Sequence, residues 1–142
     1  MSDASDTPRS TWEGTGNGSI RVLHVDDDPD FATLAATFVQ QQDDRFDLES
    51  VPGASEALDR LAAADFDCVV SDYDMPGRNG IEFLEALRDT HPEVPFILFT
   101  GKGSEEVASV AISAGVTDYL QKETGTEQYA VLANRIDRKS VV

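Results

Sequence analysis

Five runs of strand length alternate with five stretches of helical spacing between residues 20 and 138, and this alternation limits the chain to few folds. The runs are Ile20–Val25, Phe46–Val51, Asp67–Ser71, Phe96–Phe99 and Asp118–Leu120. Between and after them, Pro29–Gln42, Ser55–Ala64, Gly80–Thr90, Ser104–Ala114 and Thr126–Arg138 read as helices. Asp28 is placed to cap the first helix, with Pro29 at its first position. Phe31, Leu34, Ala35 and Phe38 form its apolar stripe, Ala57, Leu58 and Leu61 that of the second helix, and Ile81, Leu84 and Leu87 that of the third. No internal sequence repeat is present. Such alternation predicts an α/β fold, a parallel sheet with helices on both faces and right-handed crossovers. In sheets of this kind ligands bind beyond the carboxyl ends of the strands.

Acidic and polar residues stand at those ends. Asp26-Asp27-Asp28 follows the first run, Asp72-Tyr73-Asp74 the third, and Thr100 and Lys122 follow the fourth and fifth. Carboxylates gathered at one point repel, by roughly 4 kcal/mol per pair at about 4 Å and an effective dielectric near 20. A hard divalent cation removes that cost, and Mg2+, with few carboxylate ligands and retained waters, fits best. Each signal alone is bland. An Asp-Asp-Asp-Pro string is usually a helix cap, Asp-Tyr-Asp can be a solvated turn, a single lysine is usually surface and Tyr119 core. Their joint placement at strand ends is what points to a site.

Charge narrows the partners. The chain has 142 residues, one domain's length, and 40% are hydrophobic, enough for a packed core. Asp and Glu number 27 against 11 Lys plus Arg, a net charge of −16. That field disfavours direct contact with nucleic acid or an anionic membrane. It also opposes compaction unless salt screens it, and at 1 M salt the Debye length falls to about 3 Å. With 8 Arg and only 3 Lys, the balance resembles proteins of extremely halophilic archaea. Cys68 is the single cysteine, so no internal disulfide is possible, and its apolar surroundings predict a buried small hydrophobe. No apolar stretch reaches the roughly 18 residues of a membrane span, and a cytoplasmic protein is expected. Residues 1–19, rich in Ser, Asp, Thr and Gly, read as a disordered tail, with Trp12 given no role and the folded domain over 20–142. His24 reads as packed in the first strand and His91 as an exposed turn.

Val25-Asp26-Asp27-Asp28-Pro29, Ser71-Asp72-Tyr73-Asp74-Met75-Pro76-Gly77 with Gly80, Phe99-Thr100-Gly101, and Asp118-Tyr119-Leu120-Gln121-Lys122 together resemble the receiver domain of two-component response regulators. The match runs from about Ile20 to Arg138. The segment Lys122–Tyr129 with Leu132-Ala133-Asn134-Arg135-Ile136 is similar to receivers of halophilic archaea. The resemblance implies a flavodoxin-like (βα)5 fold, strand order 2-1-3-4-5. It implies that Asp72 accepts a phosphoryl group from a sensor histidine kinase, and that Asp27 and Asp72 ligate Mg2+ directly. Asp26 would hold the ion through water, and Asp74 would offer its backbone carbonyl. Lys122 would pair with Asp72 and then with a phosphoryl oxygen, Thr100 would bond another, and Tyr119 would move inward behind Thr100. A receiver assists its own phosphorylation and dephosphorylation but is not a conventional enzyme. A stand-alone receiver is expected, a monomer or weak homodimer, signalling by binding a downstream protein through Ser104–Ala114, Asp118–Leu120 and Thr126–Arg138.

Two departures from the family pattern stand out. Glu123 follows Lys122 where most receivers have a cis-proline, so a trans bond is expected, with Thr124-Gly125 absorbing the turn. Asp74 and Lys102 occupy positions that tune dephosphorylation in the family, with opposed charges. Two other readings remain open at this point. Asp72-x-Asp74 superficially resembles the acid pair of haloacid-dehalogenase-like phosphatases, though there it follows the first strand. A docking module that keeps the fold without accepting phosphate is the other.

Overall fold

The computed structural model describes residues 19–101 and 105–140. Of the expected tail only Ser19 falls among the described residues, and Trp12, Lys102 and Ser104 lie outside them. In chain order run β1 (Ile20–Val25), α1 (Pro29–Gln42), β2 (Phe46–Val51), α2 (Ala54–Ala63), β3 (Cys68–Ser71), α3 (Gly80–Thr90), β4 (Phe96–Thr100), α4 (Glu105–Ala114), β5 (Asp118–Gln121) and α5 (Glu127–Ser140). The five strands form one sheet, parallel throughout, in the order β2-β1-β3-β4-β5. This is the flavodoxin-like doubly wound fold with the 2-1-3-4-5 order.

Side chains alternate along each strand between two cores, as the strand period of two requires. Val22, Val70 and Ile97 join Ala35, Val39, Leu132 and Ile136 on the face covered by α1 and α5. Leu23, Val69 and Leu98 join Ala57, Leu61, Leu84 and Ala111 on the face covered by α2, α3 and α4. Cys68 is fully buried, and burial pushes its thiol up to about 12.

The stripe of α1 differs from expectation at one residue. Ala32, Ala35 and Val39 face the sheet, Phe31 and Phe38 flank them, and Leu34 is 47% exposed. The two alanines bring the helix close, which leaves Leu34, one residue round from Ala35, on the outer side. His91 is not an exposed turn residue but the half-buried C-cap of α3, its backbone N–H donating to the Leu87 carbonyl at 2.7 Å.

Candidate functional site

Strand register assembles the site. Val25 lies opposite Ser71, so Asp26 and Asp72 leave the sheet side by side. Each is anchored by its own backbone: Asp26 N–H donates to Val51 O at 3.1 Å and Asp72 N–H to Val25 O at 2.9 Å. β4 runs on to Thr100, opposite Gln121, and Lys122 N–H donates to Thr100 O at 2.9 Å. Thr100 and Lys122 are thereby held level with the carboxylates.

One carboxylate oxygen from each of Asp26, Asp27 and Asp72 lies within 4.8 Å of the others. Asp26 and Asp72 are buried and Asp27 is exposed. Lys122 is the ammonium among them, with Nζ 2.8 Å from Asp26 Oδ2 and 3.6 Å from Asp72 Oδ2. The resemblance implies Asp72 as its partner; Lys122 pairs with both carboxylates, and the shorter contact is to Asp26. Three carboxylates and one ammonium leave two negative charges, which a divalent cation cancels. The donors are hard oxygens, and the exposure of Asp27 leaves room for water ligands, so this set fits Mg2+. The second Asp72 oxygen is held by a neighbour: Tyr73 N–H donates to Asp72 Oδ1 at 2.8 Å.

The flanking residues divide into those that aim the carboxylates and those that only cap helices. Asp26 Oδ1 accepts the Asp28 N–H at 2.9 Å, which orients Asp26. Asp28 itself caps α1, accepting from Asp30 and Phe31 backbone N–H groups. Asp74 is exposed and its carboxylate is not one of the three gathered oxygens. Tyr119 packs against the core cluster on the α4 side, and its hydroxyl is buried with no hydrogen-bond partner.

Residues 22–134 match the response regulator receiver domain family. The chain belongs to that family. It is 31% identical over 140 residues to the bacterioopsin transcriptional activator of Halobacterium salinarum, covering 99% of this chain and 20% of that protein. It is 32% identical over 120 residues to the transcriptional regulatory protein CpxR of Escherichia coli, covering 84% of this chain and 50% of CpxR. The chain therefore spans a fifth to a half of the length of these curated relatives. Among solved structures it is similar to the chemotaxis response regulator CheY4 of Vibrio cholerae, with a TM-score of 0.74 and 27% identity, over 83% of this chain and 98% of that one. Receivers are phosphoacceptor modules of two-component signalling, not conventional enzymes.

Two features of this receiver's site were not legible in the sequence. The loop after Lys122 is clamped by Gln128 from the first turn of α5. Its Oε1 accepts the Glu123 N–H at 2.9 Å, and its Nε2 donates to the carbonyls of Glu123 and Gly125. Gly125 turns the chain at φ +88°, and no described peptide bond is cis, Lys122–Glu123 included. The ring of Phe31, read only as part of the α1 stripe, lies 4.0 Å from Lys122 Nζ. Nothing in the pattern of apolar spacing distinguishes a ring facing the core from one facing a lysine.

His24 lies beneath the site, its Nδ1 3.3 Å from Ser50 Oγ. Burial lowers its pKa from 6.5 to about 4, and the Lys122 ammonium acts in the same direction against the opposing pull of Asp72. The folded state keeps this imidazole neutral, whereas the unfolded chain protonates near 6.5. Stability is therefore full above about pH 6.5 and falls as pH drops from there toward 4, by about 3 kcal/mol in all. Metal-free protein should show this loss by denaturant melts at stepped pH, and His24→Gln should lack it. Parallel curves for the two proteins across that window would show that His24 does not titrate there.

Among the described residues no helix is long and apolar enough to cross a membrane.

Proposed function

We propose that this receiver accepts a phosphoryl group on Asp72 from a sensor histidine kinase. A phosphorus–oxygen bond forms at the Asp72 carboxylate as the phosphorus–nitrogen bond to the donor imidazole breaks, and the electron pair leaves with the imidazole. The observation that carries this reading is the gathering of Asp26, Asp27 and Asp72 within 4.8 Å of one another with Lys122 Nζ between two of them. Asp27 and Asp72 would hold Mg2+ directly, Asp26 through water, and Asp74 by its backbone carbonyl. When bound, the ion cancels charge on the phosphoryl oxygens. Lys122 and Thr100 bind the oxygens that remain, and the same groups assist the later loss of the phosphoryl group.

The switch would be Thr100 with Tyr119. The Tyr119 hydroxyl is desolvated without a partner, a condition that costs about 1–3 kcal/mol. A ring held at that cost is readily moved by a small change at Thr100. Phosphorylation then shifts an existing equilibrium between two conformations of α4, β5 and α5, which a downstream protein reads. A cytoplasmic haloarchaeal protein is the reading supported by the −16 charge and by the Halobacterium salinarum relative. It would act as a monomer or weak homodimer, without direct contact to nucleic acid or membrane.

The deciding experiment is intact mass after incubation with Mg2+ and acetyl phosphate in high KCl, beside Asp72→Asn. A single phosphoryl adduct on the wild type alone is expected. A folded protein that binds Mg2+ and gains no adduct would be a docking module instead, and steady turnover of generic phosphate esters would make it a hydrolase. Metal binding has its own readout. Mg2+ at ten times its dissociation constant should stabilise the fold by about 1.4 kcal/mol, and Asp27→Ala should abolish the gain. Melting in high KCl that ignores Mg2+ would exclude the metal site.

A further inference from the structure

The Lys122 ammonium is held on a third side by a group that carries no formal charge. Its Nζ lies over the Phe31 ring, 4.0 Å from the centroid, inside the roughly 6 Å over which a ring quadrupole attracts a cation. The lysine side chain is 18% exposed, so water screens this attraction weakly. The ring is itself fixed. Asp28 Oδ1 accepts the Phe31 backbone N–H at 3.2 Å, and the ring meets Phe99 at 5.8 Å and Tyr129 at 6.0 Å between centroids. The face that Lys122 touches is thus set by α1, β4 and α5 together.

We propose that Phe31 is a positioning residue for phosphoryl uptake, its ring face keeping the Lys122 ammonium beside Asp72. This rests on the reading of Asp72 as phosphoacceptor. A lysine stem has four rotatable bonds, and attraction to carboxylates alone lets Nζ follow whichever oxygen is least committed elsewhere. In this structure Nζ reaches both, 2.8 Å from Asp26 Oδ2 and 3.6 Å from Asp72 Oδ2, with the ring closing its third side. Another carboxylate could restrain the ammonium, but it would also repel the incoming phosphoryl oxygens. A ring face attracts the ammonium without adding a negative charge where a polyanion must bind.

The test replaces Phe31 by phenylalanines of increasing fluorination, which keep the ring's shape while its negative face fades, and by Leu and Tyr. Phosphoryl uptake from acetyl phosphate should slow in step with fluorination. Phe31→Leu should lose about three- to tenfold, and Phe31→Tyr should stay within about twofold of wild type. In metal-free protein the Lys122 ε-methylene protons should resonate upfield from the ring current and return to ordinary positions in Phe31→Leu. Equal rates across the fluorinated series, even with a slow Phe31→Leu, would make the ring a filler and overturn the proposal. Ordinary ε-methylene positions in the wild type would overturn the contact itself. A wild type that gains no phosphoryl group while its Lys122 resonances remain upfield would sink the phosphoacceptor reading, and the proposed role with it.

Discussion

Replacing Lys122 by methionine should cost the metal-free fold about 3 kcal/mol, and Mg2+ should return most of it. Methionine keeps the stem and packs as well against Phe31, so the change is close to removal of one charge. What it leaves behind decides the sign. Asp26 is 3% exposed and its Oδ2 loses a partner at 2.8 Å, while Asp72 loses the same ammonium at 3.6 Å. Removing one member of a buried ion pair is costly because the other charge stays buried, whereas removing both is often neutral. Asp26→Asn in the Lys122→Met background should therefore recover stability that Asp26→Asn in the wild type does not gain. The double-mutant cycle isolates this coupling from the packing of the stem. Chemical denaturation without Mg2+ is the measurement. A Lys122→Met protein as stable as wild type, or one that Asp26→Asn does not rescue, would mean that Lys122 is solvated rather than paired. Phosphoryl uptake by Lys122→Met should also fall by about 100-fold, the usual cost of losing one preorganised group at a developing charge.

The same pair shows how far the sequence could be read. Strand-end placement was legible because each run of apolar residues stops where a carboxylate, threonine or lysine follows, and the parallel register carries Asp26 and Asp72 out together. Helix starts were legible where a cap was written into the chain. Asp28-Pro29 is such a cap and opens α1. α3 starts at Gly80 as expected, and there the structure adds a capping box not read from the sequence, the Asn79 side chain accepting from Ile81 and Glu82 N–H groups while Glu82 reciprocates. Starts without such a signal drifted by one residue. α2 begins at Ala54 rather than Ser55, with Gly53 as an N-cap that has no side chain to offer. α5 begins at Glu127 and runs to Ser140, two residues past Arg138, with Arg138 and Lys139 in the last turn where basic residues favour continuation.

Direction of side chains was not legible. The partner of Lys122 depends on a loop closed by Gln128 through three hydrogen bonds, and a glutamine five residues beyond Glu123 carries no local sign of that role. Phe31 and Leu34 carry the same hydrophobic signal on α1, yet one faces the lysine and the other faces solvent. What separates them is the rotation of α1 on the sheet, set by the small residues Ala32 and Ala35, and that is a packing outcome rather than a pattern.

Gly77, in the loop after β3, and Gly80, at the start of α3, should respond very differently to alanine, for different physical reasons. Gly77 has φ +81° with nothing within 4 Å of an added Cβ, so Gly77→Ala meets only backbone strain, about 1 kcal/mol. Gly80 opens α3 against the end of β3. A Cβ there would sit 2.4 Å from the Asp72 carbonyl oxygen, 2.9 Å from Leu98 Cδ1 and 3.0 Å from Tyr73 Cα. Two of those three are backbone, so something larger than a side chain must yield. β3 is central, paired with β1 and β4, and Asp72 N–H is bonded to Val25 O. α3 is therefore the element that moves, straining the Gly80 N–H bond to Tyr73 O and loosening Ile81, Leu84 and Leu87 in the core. Overpacking of this kind costs about 2–3 kcal/mol, twice or more the Gly77 figure. Because β3 holds its place, Mg2+ affinity should fall far less than stability, by no more than about threefold, roughly 0.7 kcal/mol. Denaturant melts and Mg2+ titration of the two variants make the comparison. If Gly80→Ala lost Mg2+ binding more than tenfold while keeping its stability, the strand rather than the helix would have given way, and the carboxylates would owe their placement to α3.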